Sequence, residues 1–330
     1  MSFRTFIRLA AQTQLLPVLE SGEETLVGGQ AVMEGVMMRA PHSYCVAVRR
    51  ANGELVTEES PLPRVSEKYP IFKYPILRGV GTLGQAMWLG VKSLNFSTRI
   101  AVADEAAKEG KPAEEGKELP SWMMTANLVF SLVFFIALYK VVPLWLTEHI
   151  QVTYPAVQNQ LLFNLVDGLI RIAIFLGFLF ALSRFKDIRR LFEFHGAEHK
   201  VVYNFESRSP VTTENAQAFS TLHPRCGTSF LLVVMVISMI LYMFLPASGF
   251  IEKMIVRVLC IPLVAGLSYE LIRFAARKRG SLLALMTAPG LWLQKITTQP
   301  PDNAQVDVAI YALNGAMALE KEQGGELVIA

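Results

Sequence analysis

Three of the chain's five histidines and one of its three cysteines fall between positions 195 and 226, in the order His195-Gly-Ala-Glu198-His199-Lys200 and then His223-Pro-Arg-Cys226. On a helix, His195 and His199 project from one face a turn apart, a spacing with which two imidazoles grip one metal ion. Glu198 follows His195 by three residues and so lies beside the same face. The order His-x-x-Glu-His is that of inverted zinc peptidases, where the Glu acts as base. His223 and Cys226, separated by two residues, have the spacing of a zinc-binding pair in a tight loop. Together they point to a divalent metal, with zinc suited by the nitrogen and sulfur donors. The plainer reading makes the histidines hydrogen-bonding residues and Cys226 the start of a helix. With all four donors bound, the site is closed and structural. With three bound and Glu198 free as general base, one position stays open and metal-assisted hydrolysis becomes possible. Four donors in hand tilt the expectation toward the structural or regulatory form.

Other residues suit binding roles. In Gly28-Gly-Gln-Ala-Val-Met-Glu34-Gly-Val-Met-Met-Arg39 the glycines permit a turn whose N–H groups face an anion, with Glu34 and Arg39 as ligand or clamp. The stretch lacks the Lys-Ser/Thr ending of a phosphate loop, so nucleotide binding is not supported. A tight turn opening a β-domain, or a surface docking on the central loop, are the alternatives. Glu270 is a candidate partner orienting a histidine ligand, or an interfacial carboxylate paired with Arg273. Asp167 and Arg171, four apart, read as a local ion pair that snorkels.

The elements that must carry these residues are mostly apolar. The 330 residues are 52% hydrophobic and only 18% charged, with net charge +3 and mean hydropathy +0.37. Disorder is excluded by this composition, and nucleic acid has no basic surface to meet. Three cysteines make no even disulfide framework. Four stretches are long and apolar enough to cross a bilayer: Met123–Leu146, Leu161–Ser183, Gly227–Ile251 and Met254–Ile272. No broken-helix pair is visible, which weakens a transporter or channel-subunit reading. Seven Lys/Arg lie between Arg184 and Arg225, and more follow from Arg273, whereas Thr147–Gln160 has none. Positive residues favour the cytoplasmic side. Both termini and the central loop 184–228, with its histidines, are therefore expected in the cytoplasm.

Outside the spans, residues 1–24 read as a basic amphipathic segment and 25–75 as a cytoplasmic β-domain. Within it, Asn52-Gly53 flanked by apolar alternation signals a hairpin, after a strand near Val36–Arg39. Residues 76–120 read as an interfacial helix, Ile76–Phe96, followed by a flexible charged linker from Asp104 to Glu118. A four-span domain follows (121–275), then a C-terminal cytoplasmic segment (276–330) with an interfacial run, Ser281–Leu293, and a final helix, Val306–Glu320. The expected fold is thus an α-helical four-span membrane protein with a small β-rich N-terminal domain. Its partners would be the lipid bilayer and a membrane protein or a second copy of itself.

The motifs resemble those of the YqhQ-like family of bacterial membrane proteins. The matching stretches are Gly28–Arg39, Phe194–Lys200, His223–Phe230, Ser268–Arg273, Ala288–Gly290 and Leu293–Thr298. The family has no assigned function. The resemblance implies a multi-span membrane protein with a metal site, and its label of metal-dependent enzyme is itself an inference. An assembly, regulatory or interaction factor is the leading expectation, and a metal-dependent hydrolase the runner-up.

Overall fold

The computed structural model describes residues 27–108, 121–223, 226–247, 249–277 and 288–322. The expected N-terminal amphipathic segment, most of the charged linker and the first part of the Ser281–Leu293 run lie outside these.

Four antiparallel strands form a meander in the order β1 (Gly28–Val32), β2 (Gly35–Arg39), β3 (Ser43–Arg49) and β4 (Leu55–Pro61). Two tight turns set the register: Met33-Glu34, with Glu34 at φ 51°, and the expected Asn52-Gly53, with Gly53 at φ 90°. Both lie in the left-handed region that such hairpin turns require. Side chains alternate across the sheet, and both faces are buried. Val36, Met38, Cys45 and Ala47 pack into one core, while Val32, Met37, Tyr44, Val46 and Val48 pack into another. That explains why these strands are apolar at nearly every position rather than alternately.

The helices covering the sheet come from distant parts of the chain. Helix α1 (Leu77–Lys108) lays Leu89 and Phe96 on the second face. It is longer than the expected interfacial helix and runs into the charged stretch. There Asp104 accepts from Arg50 Nε (2.9 Å) and from the backbone N–H of Ala51 (2.7 Å), capping the β3–β4 turn.

Three helices, Thr125–Thr153, Gln160–Leu182 and Gly227–Phe244, are long and apolar enough to cross a membrane. The first consists of α2 (Ser121–Ile136) and α3 (Val142–Thr153), joined by a π turn at Ala137–Val141. Pro143, which cannot complete the regular ladder, follows that turn. Helix α4 is Gln160–Leu182. The expected central loop is mostly helix: α5 (Lys186–Glu206) and the short α6 (Thr213–Gln217), the latter capped by Thr212 Oγ1. Helix α7 (Gly227–Phe244) is the third apolar helix. The expected fourth span is not continuous. Helices α8 (Gly249–Leu259) and α9 (Ile261–Arg277) are bent by 49° at Cys260, two residues before Pro262, whose ring cannot sit inside an unbroken helix.

Helix α10 (Ala288–Thr297) packs against α7. Helix α11 (Asn303–Glu322) joins α5 on the first face of the sheet, burying Val306, Ala309, Ala312, Leu313 and Ala316. Its Glu320 accepts from Ser43 Oγ (2.8 Å) and the backbone N–H of His42 (2.9 Å). The residues expected to form a separate C-terminal segment thus complete the β-domain. Asp167 and Arg171 also depart from expectation: both are buried, and Arg257 on α8 joins them.

Candidate metal site

Helix α5 places His195, Glu198 and His199 on one side because of their 3- and 4-residue spacing. Its opposite flank is held in the first core by Phe194, Ala197 and Val201. Carbonyls fix the two imidazoles. His195 Nδ1 lies 2.8 Å from the carbonyl oxygen of Thr297, and His199 Nδ1 lies 2.5 Å from that of Thr221. A carbonyl only accepts, so each Nδ1 carries a proton and Nε2 is the ring atom left for a metal ion to take once it is deprotonated. This is the arrangement in which metal-bound histidines are held.

The carbonyls are themselves anchored. Lys200 Nζ donates to the carbonyls of Gln217 (2.8 Å) and Phe219 (2.6 Å), fixing the segment that leads to Thr221. The Gln299 N–H donates to the Phe192 carbonyl (2.9 Å), docking the end of the Thr297 segment on α5.

Cys226, at the N-cap of α7, brings Sγ to 3.3 Å from His195 Nε2. One donor atom each from His195, His199 and Cys226 lies within 4.8 Å of the others. Tetrahedral zinc with ordinary bond lengths needs N···S edges of about 3.6 Å. Burial alone would raise the Cys226 thiol, but the imidazoles of His195 and His199 hold its pKa well below the usual thiol value. Burial opposes charge on His195 too, yet the Cys226 thiolate brings it up to about 9. The pair is therefore a thiolate beside a cation, the charge pattern that a divalent ion would replace.

His223 stands at the edge. Its ring centroid is 5.6 Å from that of His199 and 4.3 Å from that of Tyr203, and it is not one of the three converging donors. Its Nε2 is 3.4 Å from Glu206 Oε2. Burial, then the charge of His199, push its pKa down to about 3. Gln294, fully buried on α10, clamps its backbone by accepting from the His223 N–H and donating to its carbonyl, both at 2.7 Å.

The cluster forms one wall of a cavity of about 210 Å³ that Glu198, His223, Arg39, Arg64 and Arg78 also line. Glu198 Oε2 lies 3.5 Å from His199 Nε2. Strand β1 seats this carboxylate: a β-carbon on Gly29 would come within 2.6 Å of Glu198 Cγ. Arg39 makes no side-chain hydrogen bond or ion pair among the described residues. Burial and the nearby charge of Arg64 lower its pKa from the ordinary arginine value.

The description of proteins of unknown function DUF1385 matches residues 74–319. The chain is also 36% identical over 297 residues to the uncharacterized protein YqhQ of Bacillus subtilis (strain 168), covering 89% of this chain and 92% of that one. The chain belongs to the YqhQ-like DUF1385 family. No solved structure matches it. In this DUF1385 chain the matched stretch holds the His/Cys cluster, Glu198 and Arg78, while Arg39 and Arg64 precede it.

Of the candidate residues, Glu270 has a partner other than those expected, while Glu34 makes the contact with the central loop that was one of its alternatives. The Glu270 carboxylate binds Arg78 through Nε (2.6 Å) and Nη2 (2.5 Å) and accepts from the Ile76 N–H (3.2 Å). It thus positions a cavity arginine and is not joined to a histidine ligand. Glu34 pairs with Arg190 on α5 and ties the β1–β2 turn to that helix. Gly28 and Gly29 belong to β1, not to a turn. Sequence reasoning missed Arg64, Arg78 and Gln294 as site residues. Nothing local marks the two arginines, whereas Gln294 lies within one of the stretches that carry the family resemblance.

Proposed function

We propose that this protein is a membrane-anchored, metal-dependent hydrolase acting on an anionic substrate. One observation carries the reading: the donors of His195, His199 and Cys226 converge on the wall of a cavity that Glu198 shares. Two imidazoles locked through Nδ1 and one low-pKa thiol form a donor set that fits zinc. Three donors leave a coordination position toward the cavity. An ion bound there would supply Lewis acidity at the scissile bond. Glu198 is placed to take the proton of an attacking water and return it to the leaving group. Arg39, with Arg64 and Arg78, supports binding of the substrate's negative charge. The apolar helices support anchoring in a bacterial inner membrane, and the basic-residue asymmetry supports both termini and the site on its cytoplasmic side.

A structural site in an assembly or regulatory factor is the second reading, favoured by His223, whose ring centre lies 5.6 Å from that of His199. Complementation of a deletion strain by Glu198→Gln and His199→Ala, with metal content measured for both, separates the two. For a hydrolase, Glu198→Gln keeps the metal and loses function, since a general base supplies about 10²–10⁴-fold in rate. His199→Ala should lose both. Full complementation by metal-loaded Glu198→Gln would overturn the hydrolytic reading.

A further inference from the structure

The apolar helices hold a second charged cluster that the proposed hydrolysis does not use. Asp167 on α4 accepts from Arg171 Nη2 (2.5 Å), one turn along, and from Arg257 Nη1 (2.8 Å) on α8. Arg171 Nη1 also donates to Ser238 Oγ on α7 (3.0 Å), and Arg257 Nη2 to Asn164 Oδ1 (3.2 Å). Tyr242 lies among them. Its hydroxyl donates to the Arg257 carbonyl (3.2 Å) and receives Lys140 Nζ (3.0 Å). Lys140, Arg257 and Arg171 stand 5.2, 5.3 and 5.5 Å from the centre of its ring. Asp167, Arg171 and Arg257 are each no more than 3% exposed.

The charges do not balance. Guanidinium groups stay protonated in proteins, and among the described residues Asp167 is the only carboxylate in ion-pair contact with either arginine. At least one positive charge is therefore uncompensated. Arg171 Nε is buried without an acceptor among the described residues. Toward the end of the bundle, the Glu148 carboxylate is taken by Lys253 (3.1 Å). Ionisable groups at such depth are strongly disfavoured without partners and mark functional sites.

Beside Arg257 lies a cavity of about 210 Å³ lined by Asn164, Tyr242, Lys253 and the side chains of Gln151, Gln158 and Gln160. Amide, phenol, ammonium and guanidinium groups line it, and no carboxylate does. It sits at the end of the bundle away from the His/Cys cluster. Gln160, which opens α4, donates to the carbonyls of Met243 and Leu245 at the close of α7, whereas Cys226 caps the start of α7. Asn164 is four residues into α4, about 6 Å deep at 1.5 Å per residue. That depth is within reach of a lipid headgroup and of a solute entering from the far side.

We propose that this cavity binds a phosphate group, held by the Arg257 guanidinium with Lys253, Tyr242 and Asn164 around it. The anion completes the charge balance that Asp167 leaves unfinished. A tetrahedral group with several acceptor oxygens matches donors arriving from α4 and α8. A phospholipid headgroup and free phosphate share this chemistry.

The test uses the full-length protein, purified in detergent in chloride buffer. Its melting temperature is followed against inorganic phosphate and, separately, against short-chain phosphatidylglycerol. A saturable rise is expected with one of them, which identifies the source. Arg257→Gln should weaken the apparent affinity at least tenfold with helical content unchanged. Asp167→Asn, which removes the competing carboxylate, should bind more tightly than the wild type. Absence of a shift with both probes on the wild type would overturn the proposal, as would variants that respond like the wild type. If Arg257→Gln does not fold, the wild-type and Asp167→Asn measurements decide. None of these outcomes depends on metal at the His/Cys cluster.

Discussion

Adjacent glycines in β1 should respond oppositely to alanine. A β-carbon at Gly29 would stand 2.6 Å from Glu198 Cγ, 2.7 Å from the Met37 carbonyl oxygen and 2.9 Å from Met38 Sδ, while one at Gly28 meets nothing within 4 Å. Carbon contacts settle at about 3.5–4.0 Å, so Gly29→Ala demands roughly 1 Å of relief. The Met37 carbonyl cannot supply it, because the Gly29–Met38 and Gln30–Met37 register pairs hold β2 in place. The Glu198 side chain must turn away, and β1 must ease back from the Met37 carbonyl. Overpacking of this kind destabilises by about 1–3 kcal/mol, and a 1 Å error at a catalytic group can lower a rate by about 10²-fold. The variants are compared by thermal unfolding, metal content and complementation of a deletion strain. Gly29→Ala should melt earlier, keep its metal because the three donors are untouched, and fail to complement. Gly28→Ala should stay within about 0.5 kcal/mol of wild type and complement. Equal behaviour of the two, or greater damage from Gly28→Ala, would refute the idea that β1 seats the carboxylate.

Gln294→Ala removes both clamps on the His223 backbone and leaves buried groups unsatisfied, which destabilises by about 1–3 kcal/mol. Metal affinity measured by chelator competition should fall with it, and unchanged affinity would mean that this loop does not position Cys226. Glu320→Ala strips the His42 N–H of its acceptor and leaves Ser43 Oγ only the Ala316 carbonyl, so the β-domain should become the first protease-sensitive part of the protein. A digestion pattern like that of the wild type would contradict this. Reporters fused after Thr153 and after Ser207 should report opposite sides of the membrane, with Ser207 inside. Both on one side would defeat the span assignment.

Several features could be read directly from residue types. Asn52-Gly53 between apolar strands specified the hairpin because few sequences tolerate its left-handed turn. His195, Glu198 and His199 fell together because helical spacing alone places them on one face. Their convergence with Cys226 was suggested by donor chemistry, although His223, expected as a fourth donor, stands aside. What could not be read depends on distant contacts. Glu270 had a histidine of the central loop and the local Arg273 as partners on paper, yet Arg78 reached it from a helix nearly two hundred residues earlier in the chain. The break at Cys260 had its signal in Pro262, which apolar content masked. Helix α11 looked like a free terminal helix because its small apolar residues, such as Ala309, Ala312 and Ala316, give a weak stripe. That stripe is informative only once the sheet it covers is known.

The closure of the sheet by α11 also bears on how the protein is made. Strands β1–β4 leave the ribosome early, but one of their buried faces, which α5 covers only in part, is not closed until residues 303–322 are synthesised. All the apolar helices emerge in between, and the His42–Glu320 contact spans 278 positions. Pairing at such separation is slow because loop closure must precede any gain from contact. Until then that face of the early strands is only partly covered, as an aggregation-prone intermediate. Helix α5 borders the same face. On the function proposed above, a metal ion would be captured late in biosynthesis, after the apolar helices have been made.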